Sequence, residues 1–268
     1  MKLLAWDTSS KTGVVAAFEW DEKVTDARST LRLVSEWVLS VDAVHSEKLL
    51  WAIDQVLKAA NWELKEIDYF AVGVGPGSFT GLRIGVSTAR TLAHVMNKPL
   101  VEVSSLAALA RPAAESALQS KGTTLVIAAT DACKGELFCL FGNAKSVREC
   151  VIRARGDAPG MWGRGTEESV YSHEKLAALL KKKASSKVDR WIAVGEARIR
   201  YPQFWEVLPL DKEVKQETNF LDQVQGRYLG LLAWEAIQIG VIRKALDVTP
   251  HYIRASDAEL KLKARQKS

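Results

Sequence analysis

The run 71–96, AVGVGPGSFTGLRIGVSTARTLAHVM, constrains the fold of this chain more than any other stretch. It opens as an apolar strand and breaks at Gly75-Pro76-Gly77. It then resumes with Leu82, Val86, Ala89, Leu92, Ala93 and Met96 recurring at helical spacing. A strand, a tight glycine turn and a helix therefore follow one another. Such a join aims backbone N–H groups and the positive end of the helix dipole at one point, which suits an anion. A plain structural turn satisfies the same residues, because the loop holds no Lys and lacks the fuller dinucleotide spacing. Ser78, directly after the turn, suits a helix N-cap.

Gly77, Gly81, Gly85, Ala89 and Ala93 recur every four residues, so one edge of the helix is nearly bare and another helix can approach closely. Glycine inside a helix costs about 1 kcal/mol relative to Ala. The compensation comes either from close packing within the chain or from a helix of a second subunit.

The 268 residues are 47% hydrophobic, enough for one large domain or two of ordinary size. A net charge of +5, from 37 basic and 32 acidic residues, permits nucleic-acid contact without requiring it. Asp7 interrupts the first apolar run and no stretch is long enough for a membrane span, so a soluble, cytoplasmic protein is expected. Cys133, Cys139 and Cys150 form no C-x-x-C pair and read as reduced thiols.

Apolar runs at 3–6, 14–18 and 31–41 predict three strands. A helix follows from His45 or Ser46, with Leu49, Leu50, Ile53, Val56, Leu57 and Ala60 as its apolar face. Strand 67–74, the glycine helix and strand 100–103, with a helix from about Ser105 following, give the order of a ribonuclease-H-like module: three strands, then helix, strand, helix and strand. The second half repeats it in shorter form. Strands are predicted at 124–129, 136–141 and 150–153, a helix at 175–183, a strand at 190–194 and a long helix at 220–240. Residues 155–172, rich in Gly and charge, read as the least ordered part. The expected fold is thus α/β, with one module at 1–103 plus part of the C-terminal helices, a reduced one at 104–250, and a tail at 251–268.

GVGPGSFTGLRIGVSTARTLA at 73–93, with LAWDTSS at 4–10 and HSEKLLWAID at 45–54, resembles the TsaB (YeaZ) family of bacterial tRNA-modification proteins. TDACKGELF at 130–138 and PHYIR at 250–254 extend the resemblance. It implies paired modules of the actin, Hsp70 and sugar-kinase superfamily, whose members hold ATP between the halves. Asp7, Thr8 and Ser9 stand at the first phosphate turn and Asp131 at the matching turn of the second half. The phosphate-closing glycine is missing, Ala132 and Cys133 replace small Gly and hydroxyl residues, and Gly195 stands alone where paired glycines are usual. The nucleotide cleft therefore reads as vestigial.

The related TsaD transferase carries a metal-binding His-x-x-x-His motif after the same glycine block; the corresponding positions here are Ser105 and Leu109. Neither supplies an imidazole. His45, His94, His173 and His251 are never four apart, and no G-x-S-x-G elbow is present. No metal site and no catalytic residue are expected, and no cofactor on this chain alone.

The resemblance implies a non-catalytic scaffold for threonylcarbamoylation of adenosine 37 in tRNA. It would pair with a TsaD-like transferase and a TsaE-like ATPase that brings ATP and Mg. The family's two pairing helices map to 45–60 and 80–95, which puts His45, Leu49, Ile53, Gly81, Arg83, Gly85, Ala89 and Leu92 at the interface and allows a homodimer through the same surface. The alternative is an ATP-dependent enzyme of the superfamily or a metalloprotease-like hydrolase. Lys181, Lys182, Lys183 and Lys187, and the tail Arg254, Lys261, Lys263, Arg265 and Lys267, are solvated faces or tRNA phosphate contacts. No aromatic-and-basic stacking platform is visible, so tRNA is expected to be reached through the complex.

Overall fold

The computed structural model describes residues 1–22, 31–40, 45–150, 166–184, 188–206 and 222–254. Its first sheet is built by β1 (Lys2–Asp7), β2 (Thr12–Glu19) and β3 (Arg32–Ser40), followed by α1 (His45–Ala60), β4 (Tyr69–Gly75), α2 (Phe79–Val95) and β5 (Leu100–Ser104). The strand order is β3-β2-β1-β4-β5, antiparallel among the first three and parallel from β1 through β4 to β5. Strands covered on both faces carry continuous apolar runs, which is why β1 reads LLAW and β4 reads FAVGV. Trp6 and Val15 are register partners, as are Val15 and Trp37, so these three share the face that α1 and α2 cover.

The chain continues with α3 (Ser105–Ala117), then β6 (Thr124–Asp131), β7 (Glu136–Asn143), α4 (Ala144–Arg148), β8 (Glu167–Ser172), α5 (His173–Ala184), β9 (Arg190–Val194), α6 (Glu196–Arg200) and α7 (Pro202–Glu206), whose four strands form a second sheet. Its order, β8-β7-β6-β9, repeats the first sheet with one strand fewer. The last helix, α8 (Gly226–Gln238), returns to cover the other face of the first sheet. There a Cβ on Gly226 would lie 2.8 Å from Ala16, and one on Gly230 would lie 2.2 Å from the Phe18 ring.

Three expectations need correction. The third strand of the second module is Glu167–Ser172, inside the stretch that reads as least ordered; Cys150 follows α4 outside any strand, and 151–153 lie outside the described residues. The last helix starts at Gly226, not 220; residues 220 and 221 lie outside the described residues. Leu50 points away from the core, because in a helix it stands about 100° from Leu49.

Helix α3 is buried along most of its length, and its charge is matched internally. Arg111, fully buried, donates to both carboxylate oxygens of Glu235 on α8 at 2.9 and 2.7 Å and to Glu115 at 2.9 Å. The bidentate geometry suits a buried pair, since removing one partner would strand a charge at a cost of about 3–5 kcal/mol. Among the described residues, no helix is long and apolar enough to cross a membrane.

Candidate functional site

Strand β1 ends at Asp7, whose side chain is fully buried between the two modules. Oδ1 accepts from the Ser9 backbone N–H at 2.8 Å and the Ser9 hydroxyl at 2.6 Å. Oδ2 accepts from Ser105 Oγ at 2.5 Å, and that Oγ accepts in turn from the Gly75 N–H at 3.1 Å. Both oxygens are thus engaged by donors from the β1 turn and the start of α3. The approach is tight enough that a Cβ on Gly73 would come within 1.7 Å of Oδ2, so the strand needs glycine there. Leu109, one helical turn beyond Ser105, is buried against Gly195 of the second module.

The glycine stripe of α2 lies on this same turn. Added Cβ atoms on Gly77, Gly81 and Gly85 would meet Ser9 O at 2.2 Å, Thr8 O at 2.0 Å and Thr8 Oγ1 at 2.2 Å. In the native packing Thr8 Oγ1 donates to Gly81 O at 2.7 Å and Trp6 Nε1 donates to Gly85 O at 3.0 Å. Ser78 caps the helix by accepting from the Gly81 N–H at 3.2 Å. The compensation for two helical glycines is therefore intramolecular.

Within the single chain, most residues of the expected interface face inward. Gly81, Gly85 and Ala89 are buried against their own chain, and Leu49 and Ile53 face the first sheet. Arg83 is exposed, with its guanidinium 4.0 Å from the centre of the Phe79 ring, and Leu92 is half-buried. The α1 helix begins at His45, whose side chain lies outside those described. The apolar groups that do reach the surface are different ones. Leu50 is 57% and Trp51 47% exposed on α1, and Val95 is 71% exposed on α2. Trp37 of β3, 40% exposed, stands edge-on to Trp51 at 5.0 Å.

A cleft of about 490 Å³ separates the modules, lined among others by Ser10, Lys11, Ser78, Cys133 and Arg200. Asp131 closes its second-module side. Oδ1 accepts from the Tyr201 hydroxyl at 2.9 Å and the Cys133 N–H at 3.0 Å, and Oδ2 pairs with Arg200 at 2.6 Å. Burial, reinforced by that hydrogen bond to Asp131, raises the Tyr201 phenol above its ordinary value. Cys133 and Lys134 both take left-handed backbone angles, φ +62° and +55°, to make the turn. The structure thus brings the Asp7 and Asp131 turns to opposite walls, with each acid held by its own module's or its neighbour's donors.

Residues 251–254 cross the cleft mouth. The His251 N–H donates to Val74 O at 2.7 Å, and Tyr252 packs on Phe79 at 4.8 Å and accepts from Arg83 Nε at 3.4 Å. On the far side Arg254 donates to Ala132 O and pairs with Glu136 at 3.2 Å. Deeper in, His251 Nε2 lies 3.6 Å from the buried Glu168, which accepts from Ser104 Oγ. Neither Asp131's distant partners, Arg200 and Tyr201, nor this strap could be read locally, because each joins residues far apart in the chain.

Cys139 and Cys150 are buried thiols, and Cys133 is exposed. Burial pushes Cys150 up to about 12 and raises Cys139 as well. Among the described residues no three His, Cys, Asp or Glu side chains gather to hold a metal ion. Lys181 and Lys182 are exposed at the end of α5, whereas Lys187 and the tail cations from 261 onward lie outside the described residues.

A family model described as TsaD, tRNA N6-adenosine threonylcarbamoyltransferase, matches residues 40–261. The TsaB protein of Haemophilus influenzae, named for tRNA threonylcarbamoyladenosine biosynthesis, is 29% identical over 99% of both chains. The chain belongs to the TsaB/YeaZ family. Escherichia coli TsaB is 28% identical over 75% of this chain and 74% of that protein. YeaZ from Pseudomonas aeruginosa shares the fold with a TM-score of 0.65 at 24% identity, covering 94% of this chain and 99% of that one.

Proposed function

We propose that the chain is a non-catalytic subunit that supports a TsaD-like transferase. Its family membership assigns it to tRNA threonylcarbamoyladenosine biosynthesis. The observation that carries the non-catalytic reading is the state of Asp7. In this fold the first-strand acid would organise metal and water near phosphate, yet here Ser9 and Ser105 use both of its oxygens. Ser105 and Leu109 occupy the places where the related transferase presents imidazoles, and Leu109 is buried. A carboxylate already holding three short hydrogen bonds has little to gain from a metal ion that must first displace them.

The face of α1 and α2 that looks outward is the surface for pairing. Leu50, Trp51 and Val95 leave apolar area in water, and Trp is enriched among interface anchors. This face would serve the transferase and a homodimer in turn, so the two would compete. A TsaE-like ATPase would join the pair and supply ATP and Mg, and tRNA would be reached through the complex in the cytoplasm.

The test is reconstitution. The chain, the TsaD-like transferase and the TsaE-like ATPase of the same organism are combined with unmodified tRNA, an activated threonylcarbamoyl donor and Mg-ATP, each protein omitted in turn. Modification should need all three, and a one-to-one species of chain and transferase should appear in sedimentation. Transfer to tRNA by the chain alone would overturn the non-catalytic reading.

A further inference from the structure

The second module holds a cavity of about 450 Å³ apart from the cleft, where the start of α5 meets the corner between α6 and α7. Three rings gather in its wall, one from α5 and two from the α6–α7 corner. His173 lies 4.6 Å from Tyr201 at an interplanar angle of 66°, and 5.2 Å from Phe204 tilted by 40°. Arg200, largely exposed, places its guanidinium 5.8 Å from the centre of the Tyr201 ring. The exposed amide of Gln203 completes the rim.

Two further facts mark this wall as more than a satellite of the core. Asp131 pins both Arg200 and the Tyr201 hydroxyl, and Trp205 ties α7 back to Ala197 O at 3.0 Å, so ring and guanidinium are held in place without a ligand. His173 Nε2 is buried, yet it has no hydrogen-bond partner among the described residues. Buried polar atoms are almost always paired, so this unpaired ring nitrogen marks the corner as unusual. Half-buried π surfaces, a planar cation and a side-chain amide are together suited to a planar heterocycle. The volume lies within the roughly 300–1,000 Å³ of small-molecule sites.

We propose that this pocket receives an unpaired nucleobase of RNA. Stacking on aromatic side chains and on guanidinium planes is how proteins take up splayed-out bases, and a duplex hides the faces that such stacking needs. Arg200, half in water beside the rings, is placed to meet an adjoining phosphate. The inference rests on the reading that the chain works on tRNA, but it adds a direct contact made by the second module, on a different surface from α1 and α2.

Fluorescence anisotropy of the full chain with labelled RNA tests it. A hairpin with an unpaired loop should bind, and a fully paired duplex of the same length should bind at least about tenfold more weakly. Phe204→Leu, which keeps apolar volume but removes the ring, should weaken hairpin binding roughly 5- to 100-fold, while Phe204→Trp should hold it within about twofold. Equal binding of hairpin and duplex would overturn the proposal, as would an unaffected Phe204→Leu variant. Competition by AMP as effective as by unlabelled hairpin would assign the pocket to a mononucleotide instead.

Photocrosslinking keeps the question open to refutation should Phe204→Leu misfold. A 4-thiouridine in the hairpin loop should label peptides containing His173, Tyr201 or Phe204 of the unsubstituted chain. Labelling confined elsewhere overturns the proposal. Sedimentation with the transferase, run in parallel, separates this outcome from failure of the scaffold reading, since pairing through α1 and α2 does not use this pocket.

Discussion

Ser105 Oγ donates to Asp7 Oδ2 at 2.5 Å, joining the end of β1 to the start of α3 across 98 residues of sequence. The Asp7 carboxylate accepts three hydrogen bonds in a fully buried place. Replacing Asp7 by Ala would leave the Ser9 N–H and two hydroxyls without their acceptor in a fully buried place. We expect a loss of about 1–3 kcal/mol per stranded donor at most, read as a lower urea midpoint. Asp7→Asn, which keeps an acceptor, should lose less and should still sediment with the transferase.

The glycine stripe yields the opposite of what an intersubunit groove would. Gly85→Leu should destabilise the chain itself, because even a Cβ there would stand 2.2 Å from Thr8 Oγ1. Overpacking of this kind costs typically 1–3 kcal/mol, occasionally more. Thermal unfolding of the isolated chain checks this, and an unchanged Tm with lost pairing would return the stripe to the interface.

Substitution on the outward face separates pairing from folding. Trp51→Glu places a charge on a half-exposed site beside Trp37 and Leu50 and should leave Tm within a few degrees. Affinity for the transferase should fall by about 30-fold or more, as for an anchor residue worth about 2 kcal/mol. Titration calorimetry with the folded variant reads it directly.

Cys150 makes stability sensitive to alkali. Burial raises its folded value from an ordinary 9.0 to about 12. The unfolded thiol therefore ionises first, and unfolded chain is favoured as pH climbs. The stabilising contribution is complete below about pH 9 and is lost progressively between there and pH 12, with Cys139 acting in the same direction. Tm should fall across that range, and Cys150→Ala should flatten the fall. At neutral pH a thiol reagent should modify Cys133 quickly and the two buried thiols only on unfolding.

Local signals in the sequence foretold much of this fold. The strand, turn and helix at 71–96, the Ser78 cap and the first-strand position of Asp7 all follow from spacing and turn chemistry. Strand β8 escaped because Glu167 and Glu168 look like a solvated pair, whereas Glu168 is buried and receives the Ser104 hydroxyl. The role of the glycine stripe was undecidable locally, since Thr8 and Gly81 stand 73 residues apart. The aromatic wall of the second module was invisible for the same reason: His173 lies on one helix and Tyr201 and Phe204 beyond two further elements. Long-range partners decide whether a charged or bare residue serves the core or the surface, and periodicity does not reveal them.

The return of α8 has a consequence for the order of synthesis. The sheet that holds Asp7 and the glycine helix is made within the first 104 residues, yet the cover over Ala16 and Phe18 comes only with residues 226–238. While the chain is being made, one face of this sheet therefore stays without its helix until nearly the whole second module has been added. The N-terminal half, though first to appear, is among the last to be sealed, and a chain cut short before α8 would present Phe18 and its neighbours as a sticky apolar wall.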